Sequence, residues 1–168
     1  MLYPINIASG DKPYREASVE RFIRAADMAA ELGAKYLFLT PGRGFENEER
    51  ERGWAHAVES IDRIASHAGQ AGLRCLLEPL QRLESNLVND VADLERMWRE
   101  LSAGNVDLVL DLVAMATAGD SVADYFARFG EHLAHVHIVD GTPAGHLVWG
   151  DGNLPCLLYT SLSGPARQ

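Results

Sequence analysis

Short apolar runs alternate along this chain with segments whose apolar positions recur at helical spacing. The runs Tyr3–Ala8, Ala34–Thr40, Leu73–Pro79, Val106–Asp111 and Leu133–Val139 are four to eight residues long and close on a polar, Gly or Pro position. Such runs predict strands buried on both faces. Between them, Val19, Phe22, Ile23, Ala26 and Ala30 predict one helix, stopped by Gly33. A second is predicted from Trp54, Ala57, Val58, Ile61, Ile64 and Ala68, ended by Gly69 and Gly72. A third carries Val88, Val91, Leu94, Met97 and Leu101 inward, with its start near Leu87. A fourth, capped by Ser121 and closed by Gly130, turns Val122, Tyr125, Phe126 and Phe129 inward. The segment SGDKPYRE reads as a polar loop, and the charged run Glu46–Arg52 as a solvated loop or helix face. Strands that alternate with helices mean a parallel sheet.

Three of the predicted strands end in a chemically capable side chain. Glu78 closes LRCLLEP, Asp111 closes VDLVLD, and His137 lies in LAHVHIVD. A charge does not belong inside a doubly buried strand unless it is paired or bound. These positions lie 33 and 26 residues apart, which matches the repeat of about 30 residues in a (β/α)₈ barrel. No GxGxxG follows the first strand, so a dinucleotide-binding doubly wound sheet is the weaker reading; Gly42-Arg43-Gly44 has only its opening and reads as a turn. The expected fold is therefore α/β, a partial TIM barrel of about five parallel strands. At 168 residues against about 250 for a whole barrel, units are expected to be missing at both ends, about two before and one after. Residues 1–155 form the expected barrel domain. Residues 156–168 (CLLYTSLSGPARQ) have no helical period and read as a non-native or disordered tail; Cys156–Ser161 resembles the translation of a sequencing adaptor.

In a barrel, the C-terminal strand ends converge on one mouth. Two carboxylates and an imidazole there suit a divalent ion such as Mn²⁺, Co²⁺, Mg²⁺ or Zn²⁺. The competing reading is that such acidic groups cap the next helix or pair with arginine. His135 shares a face with His137 but lies deeper, which reads as a hydrogen-bonded core residue. His146, in a glycine-rich loop over the same mouth, could meet substrate oxygens or the metal, or be surface. Glu84, Ser85 and Asn86 follow Glu78 and suit sugar hydroxyls, with helix capping the rival for Ser85 and Asn86. Asp140 is expected to orient a ligand from behind. His56, His67 and His132 read as surface.

A net charge of −9 and a pI of about 5.0 argue against a phosphate-binding surface, so no nucleic-acid partner is expected. No apolar segment approaches the ~18 residues of a membrane span. Two cysteines, Cys75 and Cys156, belong to no CxxC and fit a reducing cytoplasm.

Taken together, LLEPLQRLESN, LVLDLVA, LAHVHIVDG and the H-x-x-x-G-x-G from His146 to Gly152 resemble the xylose-isomerase-like TIM barrels, and among them the fructoselysine 3-epimerase type. The resemblance runs over almost all of residues 3–155. It implies a metal held by Glu78, Asp111 and His137, with a fourth ligand, a Glu on the eighth strand, that has no counterpart in this sequence. It also implies that His146, Glu84 and Asn86 lie near a sugar or sugar-amine substrate. Many relatives carry a His where this chain has Ala114, which weakens an endonuclease IV-like, abasic-site reading. The activity implied is C3 epimerisation of a ketose or ketosamine by proton abstraction through an enediolate, with Glu78 as the base on one face. The alternatives are an aldose–ketose isomerase on the same scaffold and a non-catalytic fragment. For the 168 residues alone the expectation is a truncated, inactive piece; the full-length form is compatible with a homo-oligomer.

Overall fold

The computed structural model describes residues 5–142 and 144–154. Four strands, β1 (Tyr36–Leu39), β2 (Arg74–Leu77), β3 (Val106–Asp111) and β4 (Leu133–His137), make one parallel sheet in the order β1-β2-β3-β4. Helices α1 (Lys12–Glu31), α2 (Arg50–Gln70), α3 (Val91–Glu100), α4 (Leu112–Ala118) and α5 (Val122–Phe129) connect and cover them, with a 3₁₀ turn at Gly130–His132. Sequential parallel strands joined by helices are the winding of a barrel, here over part of its circumference. Of the expected first strand, residues 3 and 4 lie outside the described residues, and residues 5–8 run as loop and turn. The expected tail lies outside the described residues as well.

The two faces of the sheet divide by the period of two. Leu37, Leu39, Cys75, Leu77, Val106, Leu108 and Leu110 face the helices and share a core with Trp54, Ile61, Ile64, Leu94 and Met97. On the opposite, inner face stand Phe38, Leu76, Val109 and Asp111. An irregularity in the β3–β4 pairing then matters. Leu108 pairs with Leu133, but Val109 pairs with His135 and Asp111 with His137. The extra residue in β4 brings both histidines onto the inner face and sets His137 beside Asp111.

Capping explains most of the boundaries that differ from expectation. α1 begins at Lys12, inside the expected polar loop, because the Asp11 carboxylate accepts from the Tyr14 amide at 3.2 Å and Pro13 fits the first turn. α3 starts at Val91 rather than near Leu87, since Asp90 is the residue that accepts from the Asp93 amide (2.8 Å). The run Glu46–Arg52 is split: its last three residues already belong to α2. α4 departs from the expected pattern. It is only seven residues long, its first four are all buried, and it shows no polar face to betray a helix. α5 carries the expected Ser121 cap with a full capping box, but Phe126 is 55% exposed rather than inward. Among the described residues no helix is long and apolar enough to cross a membrane.

Candidate active site

The ends of β2, β3 and β4 each deliver one polar group to the inner face. Glu78 directly follows β2, and its amide donates to Leu39 O at 3.1 Å, which carries the strand pairing to its last residue before Pro79. Asp111 ends β3 and also caps α4: its Oδ1 accepts from the Ala114 amide at 2.7 Å, leaving Oδ2 for the site. His137 ends β4. Its Nδ1 lies 2.5 Å from Glu78 Oε1 and 3.8 Å from Asp111 Oδ2. One ligand atom from each of the three lies within 4.8 Å of the others. Two carboxylates with an imidazole, gathered this closely, form a donor set suited to a divalent ion. Phe38 and His135 flank the His137 ring, at centroid distances of 5.3 and 5.0 Å, and limit its rotation.

The electrostatics agree with a cation-binding role. Burial pushes the Glu78 carboxyl up to about 8, and the nearby charges of Asp111 and Glu84 push the same way, against a smaller opposing effect of His146. Buried carboxylates crowded without a counter-charge are costly, and a bound cation would relieve that cost.

The remaining expected residues divide. His146, in the loop after β4, places Nε2 3.8 Å from Asp111 Oδ2. Glu84 joins Glu78 in lining a cavity of about 360 Å³, with Asn6, Thr40 and Arg43 on its other walls. Asn86 is committed to the backbone of Gly44: its Oδ1 accepts from the Gly44 amide (2.9 Å) and its Nδ2 donates to the Gly44 carbonyl (3.3 Å). Ser85 does not cap a helix either; its hydroxyl donates to Gly42 O at 2.7 Å and accepts from the Leu87 amide at 3.1 Å. The hydrogen bonds of the Asp140 carboxylate go to the backbone of the loop that follows it, from Gly141 to Leu154. His135 is exposed, not a core residue, because nothing described covers the inner face at that depth.

Sequence reasoning missed Asn6 and Gln81. Asn6 clamps Arg43 and Ala8 from the cavity wall, accepting from both amides and donating to Arg43 O. Gln81 accepts from the Gly145 amide at 3.3 Å. Both are single amides in loops beside strand ends, a weak signal without a partner in sequence.

Residues 1–162 match the family model described as xylose isomerase-like TIM barrel. The chain belongs to that family. It is 28% identical over 155 residues to fructoselysine 3-epimerase of Escherichia coli O157:H7, covering 91% of this chain and 56% of that protein. It is 27% identical over 156 residues to D-psicose 3-epimerase of Agrobacterium fabrum, covering 89% and 53%. The chain thus spans about half the length of the curated relatives it matches, and those relatives are ketose 3-epimerases. Among solved structures, 3-keto-D-glucoside 4-epimerase of E. coli superposes with a TM-score of 0.80 at 21% identity, over 96% of this chain and 64% of that one. That likeness concerns the fold alone. The family membership agrees with the barrel read from strand spacing and with the partial circumference.

Proposed function

We propose that this chain carries one half of a metal-dependent sugar epimerase site, built for C3 epimerisation of a ketose or ketosamine of the fructoselysine kind. The observation that carries the reading is the meeting of Glu78, Asp111 and His137 within 4.8 Å beside a sugar-sized cavity. These three residues would hold a divalent ion, whose chemistry when bound is Lewis-acid polarisation of the sugar oxygens. Support comes from the relatives, which include ketose 3-epimerases at 27–28% identity.

The chain's own groups then have distinct tasks. Glu78, held at the end of β2 on the inner face, would take the C3 proton and return it. Glu84 faces the same cavity and would accept from sugar hydroxyls, and His146 would contact sugar oxygens from above. Inversion requires a second acid–base group on the opposite face, and we assign none among the described residues. For the described residues the step proposed is sugar binding with exchange of the C3 proton on the face of Glu78.

The test is proton NMR of D-psicose with diamagnetic Mg²⁺ in D₂O. C3 exchange that disappears in Glu78→Gln supports the reading; exchange that survives the substitution overturns it. One-sided proton transfer would also serve an aldose–ketose isomerase, so a new aldehyde proton in the same spectra would favour that second reading.

A further inference from the structure

Asp140 is 3% exposed and anchors a loop at both ends. Its Oδ1 accepts from the amides of Gly141 (2.8 Å) and Leu154 (3.1 Å), and its Oδ2 from those of Gly150 and Gly152 (both 3.0 Å). Its backbone pairs with Leu147, whose amide donates to Asp140 O at 2.8 Å. The loop packs closely on this carboxylate: a Cβ at Gly152 would lie 2.2 Å from Asp140 Oδ1 and 2.5 Å from Gly141 O. A second tether comes from the β2 side, where Gln81, 7% exposed, accepts from the Gly145 amide. His146 lies between these two anchors. Gly145 before it is held by Gln81, Leu147 after it is held by Asp140, and its Nε2 reaches to 3.8 Å from Asp111 Oδ2.

We propose that Asp140 is a positioning residue of the sugar site. It acts through the loop from Gly141 to Leu154 to hold His146 over Asp111, and it does not orient the metal-binding side chains. This inference rests on the functional reading above. It also replaces the expectation that Asp140 supports a metal ligand. All four of its carboxylate bonds go to backbone amides of the loop. An amide in its place could still accept through its oxygen, but its NH₂ would face two of the N–H donors.

The experiment measures two affinities on the 168-residue chain by calorimetry: Mn²⁺ alone, then D-psicose on the Mn²⁺-loaded protein. In Asp140→Asn the Mn²⁺ affinity should stay within about threefold, while D-psicose binding weakens about tenfold or more, as loss of a charged hydrogen-bond contact does. His146→Ala should weaken D-psicose binding to a similar degree, and the double variant should be no worse than His146→Ala, since groups acting through one another are not additive. Gly152→Ala keeps the carboxylate but wedges the loop from it, and should reproduce the Asp140→Asn pattern. A Mn²⁺ affinity lowered about 10- to 100-fold in Asp140→Asn, the usual result of removing support from a ligand, would overturn the inference. So would additive losses in the double variant, or variants that bind sugar as the wild type does. A wild-type chain that binds neither Mn²⁺ nor D-psicose would overturn the functional reading, and this inference with it.

Discussion

Glu78 and His137 touch at 2.5 Å although their strands are not neighbours. Glu78 follows β2, His137 ends β4, and β3 lies between them. In a flat sheet, strands two places apart are separated by about 9–10 Å. The two side chains reach across β3 on the inner face to meet, as the inward curl of a barrel wall favours. Asp111 on β3 sits beneath the contact, paired in register with His137. The site is thus a property of curvature and register together; neither strand alone specifies it.

A divalent cation should stabilise the chain through this site. Binding to the folded state alone adds about 2.7 kcal/mol at a free concentration one hundred times Kd. Thermal melts with Mn²⁺ or Co²⁺ should show that increase, reversed by chelator. In His137→Ala the increase should vanish, because a pair of carboxylates without the imidazole is a poorer site. An unchanged metal-induced rise in melting temperature in that variant would remove His137 from the ligand set.

Without metal, stability should fall as pH rises. The Glu78 carboxyl is raised from 4.5 to about 8 in the folded state, so the folded chain holds a proton that the unfolded chain has released. The loss is absent below about pH 4.5, grows between there and about pH 8, and is complete above it. Its size is on the order of a few kcal/mol, since each tenfold change in proton affinity is worth about 1.36 kcal/mol. Glu78→Gln should flatten this dependence and be the more stable protein at pH 8. Urea denaturation at intervals from pH 5 to 8 in the presence of chelator checks the sign.

The barrel and the convergence of its three polar strand ends are legible in the sequence for a simple reason. Glu78, Asp111 and His137 interrupt apolar runs at a barrel's period, and both signals are local. What is not legible depends on partners far along the chain. Nothing in sequence announces that the Asn86 side chain bonds to Gly44, 42 positions away. Asp140 resembles support for a neighbouring His, while its carboxylate is used on backbone amides as far as Leu154. His135 reads as core only if the barrel interior is filled. α4 is invisible because a short helix buried over its first four residues leaves no amphipathic trace.

Asp111 has two separable tasks, and substitutions should separate them. Its Oδ1 caps α4 through the Ala114 amide, while Oδ2 faces His137 and His146. Asn is about as good a helix cap as Asp, whereas Ala at a cap costs about 0.5–2 kcal/mol. Asp111→Asn should therefore keep most of the stability and lose metal affinity. Asp111→Ala should lose both. Denaturation midpoints and metal titrations on the two variants decide between this division and a purely structural role, in which Asn would bind metal as well as Asp does.

Asn86 should matter for the shape of the cavity rather than for direct contact with sugar. Its side-chain amide makes both of its bonds to Gly44, next to Arg43 in the cavity wall. Gly44 in turn lies against Gly53, where an added Cβ would come within 2.8 Å of the Gly44 Cα. The loop and the first turns of α2 are thereby packed backbone to backbone, and Asn86 fixes the spacing. Asn86→Ala removes two partly buried hydrogen bonds and should destabilise the chain by about 1–3 kcal/mol. Asn86→Asp keeps the acceptor for the Gly44 amide but turns the donor toward the Gly44 carbonyl into a second acceptor, so it should destabilise as well. If Asn86 also met sugar directly, the two variants would weaken D-psicose binding by far more than their loss of stability accounts for. Parallel measurement of urea midpoints and D-psicose binding in the two variants separates these outcomes.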